Sequence, residues 1–107
     1  MGNNKSANPD LDLDIENETA EPLQYKVLLL NDDYTPMDYV IFVLKKFFAK
    51  NETDAHAIML DVHNKGAGVA GVYSFEVAET KVMQVNQFSK NNQYPLKTTL
   101  EQAWILF

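Results

Sequence analysis

Residues 25–48 read YKVLLLNDDYTPMDYVIFVLKKFF, and the change of pattern at Asn31–Pro36 decides the fold. Tyr25–Leu30 is a short run of branched and aromatic residues, which reads as a buried strand. Thr35-Pro36 is a helix start, with Thr35 as N-cap, Pro36 at the first helical position and Asp38 favouring the helix dipole. Val40, Val43, Leu44 and Phe47 then recur at helical spacing, so the first helix is expected to run to Lys50. Between strand and helix, Asn31-Asp32-Asp33 makes a compact anionic corner able to hold a cation beside an apolar cavity. That is a binding chemistry more than a catalytic one.

Working outward, Thr53–Lys65 reads as a second helix capped by Thr53, with Gly66 where a left-handed C-terminal residue is wanted. Val69–Tyr73 is a short strand after a Gly-rich turn. Ser74 caps a third helix to about Asn91, whose buried stripe is expected at Val77, Val82, Val85 and Phe88. Leu96–Glu101 closes as a strand. The order β-α-α-β-α-β predicts an α+β sandwich in which a small, three-stranded antiparallel sheet packs on three helices.

The charge lies mostly outside this domain. Six acids against one Lys give residues 1–24 a net charge of −5, out of −6 for all 107 residues. With few sizeable apolar residues, this segment is expected to be a disordered acidic extension, and residues 25–107 the folded domain. Asp10, Asp12 and Asp14 resemble the start of a calcium loop but lack its Gly and terminal Glu at the right offsets. Met1-Gly2 with Ser6 also fits a myristoylation pattern, a short one. Asn17-Glu18-Thr19 and Asn51-Glu52-Thr53 match glycosylation sequons, which mean little without a secretion signal.

The chain has nine Lys and no Arg. Arg is the preferred fork for phosphate and base edges, which argues against nucleic acid as a partner. It has no Cys either, which excludes disulfides and thiolate metal sites. No run reaches the ~18 apolar residues of a membrane span, and no signal-peptide pattern is present. The expectation is a cytoplasmic protein, with no membrane partner and no cofactor, acting as a monomer.

Three features could meet in space: Asn31-Asp32-Asp33, Met37 with Val40, and Met59, Val62 and His63 on one face of the second helix. If the two helices form a hairpin, their apolar residues line a cleft with Asn31, Asp32 and His63 at its mouth. Such an acceptor-rich rim suits an ammonium, and a protein's α-amino group is largely protonated at neutral pH. The combination points to capture of a peptide N-terminus whose first side chain fills the pocket. Plainer readings stand beside it. Asn and Asp pairs make turns, Met59 and Val62 fit a core, and His63 fits a hydrogen-bonded structural residue. Asp32, Asp33 and His63 could also ligate a metal, although carboxylates adjacent in sequence tend to diverge. No spacing suggests a nucleophile with its base, so an enzyme is not expected.

YKVLLLNDDYTPMDYV (25–40), IMLDVHNKGAGVAGVYSFEVAETKVMQVNQF (58–88) and YPLKTTLEQA (94–103) closely resemble ClpS, the adaptor family that delivers N-degron substrates to the Clp protease. The similarity runs over about residues 24–103 in one register. It implies that Asn31, Asp32 and His63 bind the substrate's α-amino group and first peptide unit. It implies a pocket for an N-terminal Phe, Tyr, Trp or Leu lined by Asp33, Thr35, Pro36, Met37, Val40, Met59, Val62 and Leu96. Met37 would restrict that pocket against β-branched side chains. Tyr34, Glu76 and Lys81 match a surface that docks on the N-terminal domain of a ClpA-type AAA+ unfoldase, and the N-terminal extension would serve substrate hand-off. The chain departs from the family in its Gly-rich Asn64–Gly68 and its apolar end, Ala103–Phe107. A generic protein-interaction domain, built like the ribosomal stalk C-terminal domain, is the alternative.

Overall fold

The computed structural model describes residues 23–103. The proposed disordered extension and the apolar residues 104–107 therefore lie almost wholly outside it. The elements are β1 (Gln24–Leu30), α1 (Met37–Phe48), α2 (Glu52–Lys65), β2 (Ala67–Tyr73), α3 (Phe75–Asn91) and β3 (Lys97–Ala103). β1 is the central strand, antiparallel to β2 on one side and β3 on the other. The expected β-α-α-β-α-β sandwich is the fold observed.

An antiparallel sheet covered on one face buries alternate residues. Accordingly Val27 and Leu29 are fully buried, while Lys26, Leu28 and Leu30 on the other face are only half-buried. Val40, Val43, Leu44 and Phe48 from α1, Ala55, Met59 and Val62 from α2, and Ala78 and Val85 from α3 complete the core. Both sheet edges are modified in ways that discourage pairing with other strands. The register of β1 on β2 slips between Val27 and Leu28, placing a bulge at Ala70. On β3, the Asn86 side chain accepts from the Thr98 N–H (2.8 Å) and donates to the Thr98 carbonyl (3.0 Å).

The helix ends correct several expectations. Thr35 does not cap α1: Pro36 is the N-cap, its carbonyl accepting from Tyr39 (3.1 Å) and Val40 (3.3 Å), while Thr35 is held by Asp32. Thr53 does not cap α2: Asn51 does, its Oδ1 accepting from the Asp54 N–H at 2.8 Å. α1 stops at Phe48 rather than Lys50, because Ala49 turns left-handed at φ 54°. The Lys81 ammonium sits on that end, donating to the Phe47 carbonyl at 2.7 Å, a charge-assisted cap that favours the dipole. Ser74 caps α3 as expected, at a long 3.5 Å. Val77 is not in the α3 stripe: it is 45% exposed, and Ala78, Val85 and Ser89 take the inward positions, with Val82 and Phe88 packed beside them.

Candidate functional site

The turn after β1 is organised by one carboxylate. Asp32 Oδ1 accepts from the backbone N–H of Tyr34 (2.8 Å) and Thr35 (2.7 Å), and Oδ2 accepts from the Thr35 hydroxyl (2.7 Å). Partial burial pushes this carboxyl up, but the Thr35 hydroxyl and the two amides outweigh it and hold it below the usual Asp value. Asp32 is thus ionised at neutral pH. A carboxylate accepts about four hydrogen bonds, so three internal ones leave room for another donor. Asp32 thus makes the turn, and doing so does not exhaust its capacity to accept.

α2 supplies the facing wall. Gly66 ends this helix at φ 89°, a left-handed conformation open to Gly, and its N–H returns to the Val62 carbonyl at 3.1 Å. The carbonyl of Gly66 in turn accepts from the Asn31 N–H at 3.0 Å. The end of β1 is thereby pinned to the end of α2, three residues from His63.

Between these walls lies a concavity of about 410 Å³, lined by Asn31, Asp32, Asp33, Tyr34, Thr35, Pro36, Met37, Val40, Met59, Val62 and His63. Val40, Met59 and Val62 are buried and make an apolar floor; Asn31, Asp33, His63 and Met37 are exposed at the rim. Its size suits a side chain with its backbone, at the small end of ligand sites. The arrangement offers acceptors around an apolar hole. Among the described residues, no group of three or more His, Asp or Glu is placed to hold a metal.

Ten of the eleven residues expected at the amine site and pocket come together here. Leu96 is not among the lining residues: it lies just before β3, 4% exposed in the core, and borders a separate concavity with Asn86, Lys90 and Tyr94. Tyr34, expected on a docking surface, stands on the rim of this same concavity and is 81% exposed. Glu76 is exposed in the first turn of α3. Lys81 is half-buried and engaged within the chain, on Phe47 as described and within 5.9–6.0 Å of the Phe48 and Tyr73 rings. Tyr34 precedes the first turn of α1 and Lys81 holds its last, about 18 Å apart along a helix of this length.

Sequence reading missed the Asn31–Gly66 tie and the structural duty of Lys81. The Gly at the end of α2 was the one signal available for the former. No helix among the described residues is long and apolar enough to cross a membrane.

Residues 20–99 match the family model described as ATP-dependent Clp protease adaptor protein ClpS. The ATP-dependent Clp protease adapter protein ClpS of Bdellovibrio bacteriovorus is 58% identical over 112 residues, covering 95% of this chain and 98% of that protein. Its namesake from Shewanella denitrificans is 60% identical over 89 residues, covering 83% and 87% respectively. Agrobacterium tumefaciens ClpS2 bound to L-phenylalaninamide has a similar structure, with TM-score 0.75 and 38% identity, over 78% of this chain and all of that one. With its sandwich fold and a family match spanning most of its length, the chain belongs to the ClpS family of adaptors for the ATP-dependent Clp protease.

Proposed function

We propose that this adaptor recognises N-degrons: it binds the free α-amino group and the bulky hydrophobic first residue (Phe, Tyr, Trp or Leu) of a substrate protein. It then delivers that protein to a Clp AAA+ unfoldase and protease, modulating their substrate choice, with no chemistry of its own. The observation carrying this reading is the concavity in which an acceptor-rich rim meets an apolar floor. The related ClpS2 is bound to L-phenylalaninamide, which carries a free α-amino group and a benzyl side chain on the same carbon. In the proposed complex Asn31, Asp32 and His63 take the ammonium and first peptide unit. Asp33, Thr35, Pro36, Met37, Val40, Met59 and Val62 surround the first side chain, and Leu96 supports them from the core.

Both parts of the ligand are needed. Burying an aromatic side chain contributes roughly 2–3 kcal/mol, short of the roughly 4 kcal/mol of millimolar binding. Charge-assisted hydrogen bonds to the ammonium add about 1.5–3 kcal/mol each before ordering costs. Together they reach about micromolar affinity or better.

Delivery is assigned to docking on the N-terminal domain of a ClpA-type unfoldase through Tyr34, Glu76 and Lys81, from a cytoplasmic monomer. Residues 1–24 act as the hand-off extension and residues 25–107 as the adaptor domain. The decisive experiment titrates the protein into a fluorescent Phe-initiated peptide and its N-acetylated twin. The free amine binds and the acetylated peptide does not; equal binding of the two sinks the reading and favours a generic interaction domain.

A further inference from the structure

Gly68 sits on the inward face of β2, opposite Leu29 of β1, and is buried under α2. A methyl group at this position would stand 2.8 Å from Val62 Cγ2, 2.9 Å from the Ile58 carbonyl oxygen and 3.3 Å from Ile58 Cγ2. The requirement is for space. Unlike Gly66, Gly68 has no left-handed backbone. One of the obstructing atoms is backbone in the middle of α2, so a side-chain rotation cannot relieve it. The helix itself would have to move. Since non-bonded atoms settle at about 3.5–4.0 Å, the shift needed is roughly half an ångström to one ångström.

α2 carries one wall of the pocket. Val62 rests on Gly68 and also lines the concavity, as does Met59 one turn before it. The opposing wall, Met37 and Val40, belongs to α1, whereas Val62 and Ile58, the side chains against Gly68, are both on α2. We infer that Gly68 is a positioning residue for specificity: by letting α2 lie close on the sheet, it sets the distance between the Met59–Val62 and Met37–Val40 walls. The size and branching of the first side chain admitted follow from that distance. The inference rests on the N-degron reading of the site.

The test uses the full chain and peptides that differ only at their first residue (Phe, Leu, Ile or Val), with an N-acetylated Phe peptide as reference. Gly68→Ala lowers the ratio of Phe to Ile or Val affinity by about tenfold, the scale on which a pocket discriminates a methylene. Gly71→Ala is the matched control. The three atoms nearest its added methyl all belong to the Tyr73 side chain, so it lowers the melting temperature and leaves the ratio unchanged. Methyl NMR of the free proteins reads the same displacement without ligand: Met59 and Val62 signals move in Gly68→Ala and stay in Gly71→Ala. If Gly68→Ala is partly unfolded, an excluded osmolyte restores the folded fraction for both measurements. An unchanged affinity ratio, or unmoved Met59 and Val62 methyls, overturns the inference while the N-degron reading stands. A wild-type chain that binds free and acetylated peptides alike overturns the reading itself, and the inference with it.

Discussion

The backbone N–H of Asn31 donates to the carbonyl of Gly66 at 3.0 Å, joining the last turn of α2 to the loop that follows β1. This bond connects the two halves of the site, since Asn31 lies on one wall of the concavity and His63, three residues before Gly66, on the other. Rim geometry therefore depends on how α2 ends.

Gly66→Ala tests that dependence. Nothing crowds a methyl at this position, so the cost is conformational: about 1–2 kcal/mol for a left-handed L-residue. A domain of this size then melts several degrees lower, at about 4–8 °C per kcal/mol. Peptide affinity falls as well, because the Asn31–Gly66 bond and the Gly66–Val62 cap are strained together. Calorimetry and a peptide titration check the two effects. A lower melting point with unchanged affinity would show that the tie does not shape the site.

Asp32→Ala removes the acceptor of two backbone N–H groups and of the Thr35 hydroxyl. The loop is exposed enough for water to replace these bonds, so the fold survives and capture of a Phe-initiated peptide is lost. Far-UV circular dichroism alongside a peptide titration separates the outcomes; loss of folding would assign Asp32 to the turn alone. The pH dependence has a defined sign. The folded carboxyl lies below its ordinary value of about 3.9, so its contribution is complete above that value and lost as pH falls through the lower folded one. Asp32 thus contributes no change in stability from about pH 5 to 8. A stability transition in that window that disappears in Asp32→Ala would refute this.

Met37 is 45% exposed at the rim, facing the buried Met59 and Val62 across the concavity. Truncation to Ala enlarges the opening with little loss of core packing. Met37→Ala is expected to admit Ile- and Val-initiated peptides that the wild type rejects, with a gain of about tenfold or more. Competition assays with peptides differing at the first residue measure it, and unchanged selectivity removes Met37 as the gatekeeper.

Much of this architecture was legible because local signals agreed with the global fold. The run at Tyr25–Leu30, Pro36, Gly66 and Ser74 punctuated the chain close to where the elements break. The grouping of Asn31, Met37 and His63 follows from helical spacing if α1 and α2 form a hairpin. The errors came from competition between neighbours. Thr35 has a side chain fit to cap, but Asp32 engages it first, and Asn51 starts α2 before Thr53 can. Val77 and Val85 are alike in sequence, and only the docking of α3 on the sheet leaves one outside and the other fully buried. Leu96 and Gly68 depend on contacts between distant segments, which no local pattern encodes. The same holds for Lys81, whose partner carbonyl at Phe47 lies 34 residues away.

Tyr39 shows how the α1–α3 interface is held. Its hydroxyl lies 2.9 Å from the Ser89 hydroxyl, both buried, and its ring packs tilted on Tyr94 and parallel to Phe88, with centroids 4.0 and 6.5 Å away. Burial pushes the phenol above its ordinary value, against the opposing effect of the Ser89 hydrogen bond, so it is protonated and able to donate. Tyr39→Phe leaves the Ser89 hydroxyl buried without this partner, at a cost of about 1–3 kcal/mol. Adding Ser89→Ala recovers part of that loss in a double-mutant cycle. Denaturant titration measures both; additive effects would mean the pair is not coupled.

The N-terminal extension joins the domain far from the pocket. Gln24 pairs with Ala103 and Tyr25 with Tyr73, so the chain enters β1 at the opposite end from Asn31, about 20 Å away along the strand. Fully extended, 24 residues span at most roughly 80 Å, enough to reach from a docked domain into a neighbouring pore. Removing residues 1–20 is therefore expected to leave the affinity for a Phe-initiated peptide unchanged while blocking degradation of a folded N-degron protein by the unfoldase and protease. Anisotropy measures the first and loss of substrate fluorescence the second. Weaker peptide binding would place the extension at the pocket, and degradation at the wild-type rate would remove it from the hand-off.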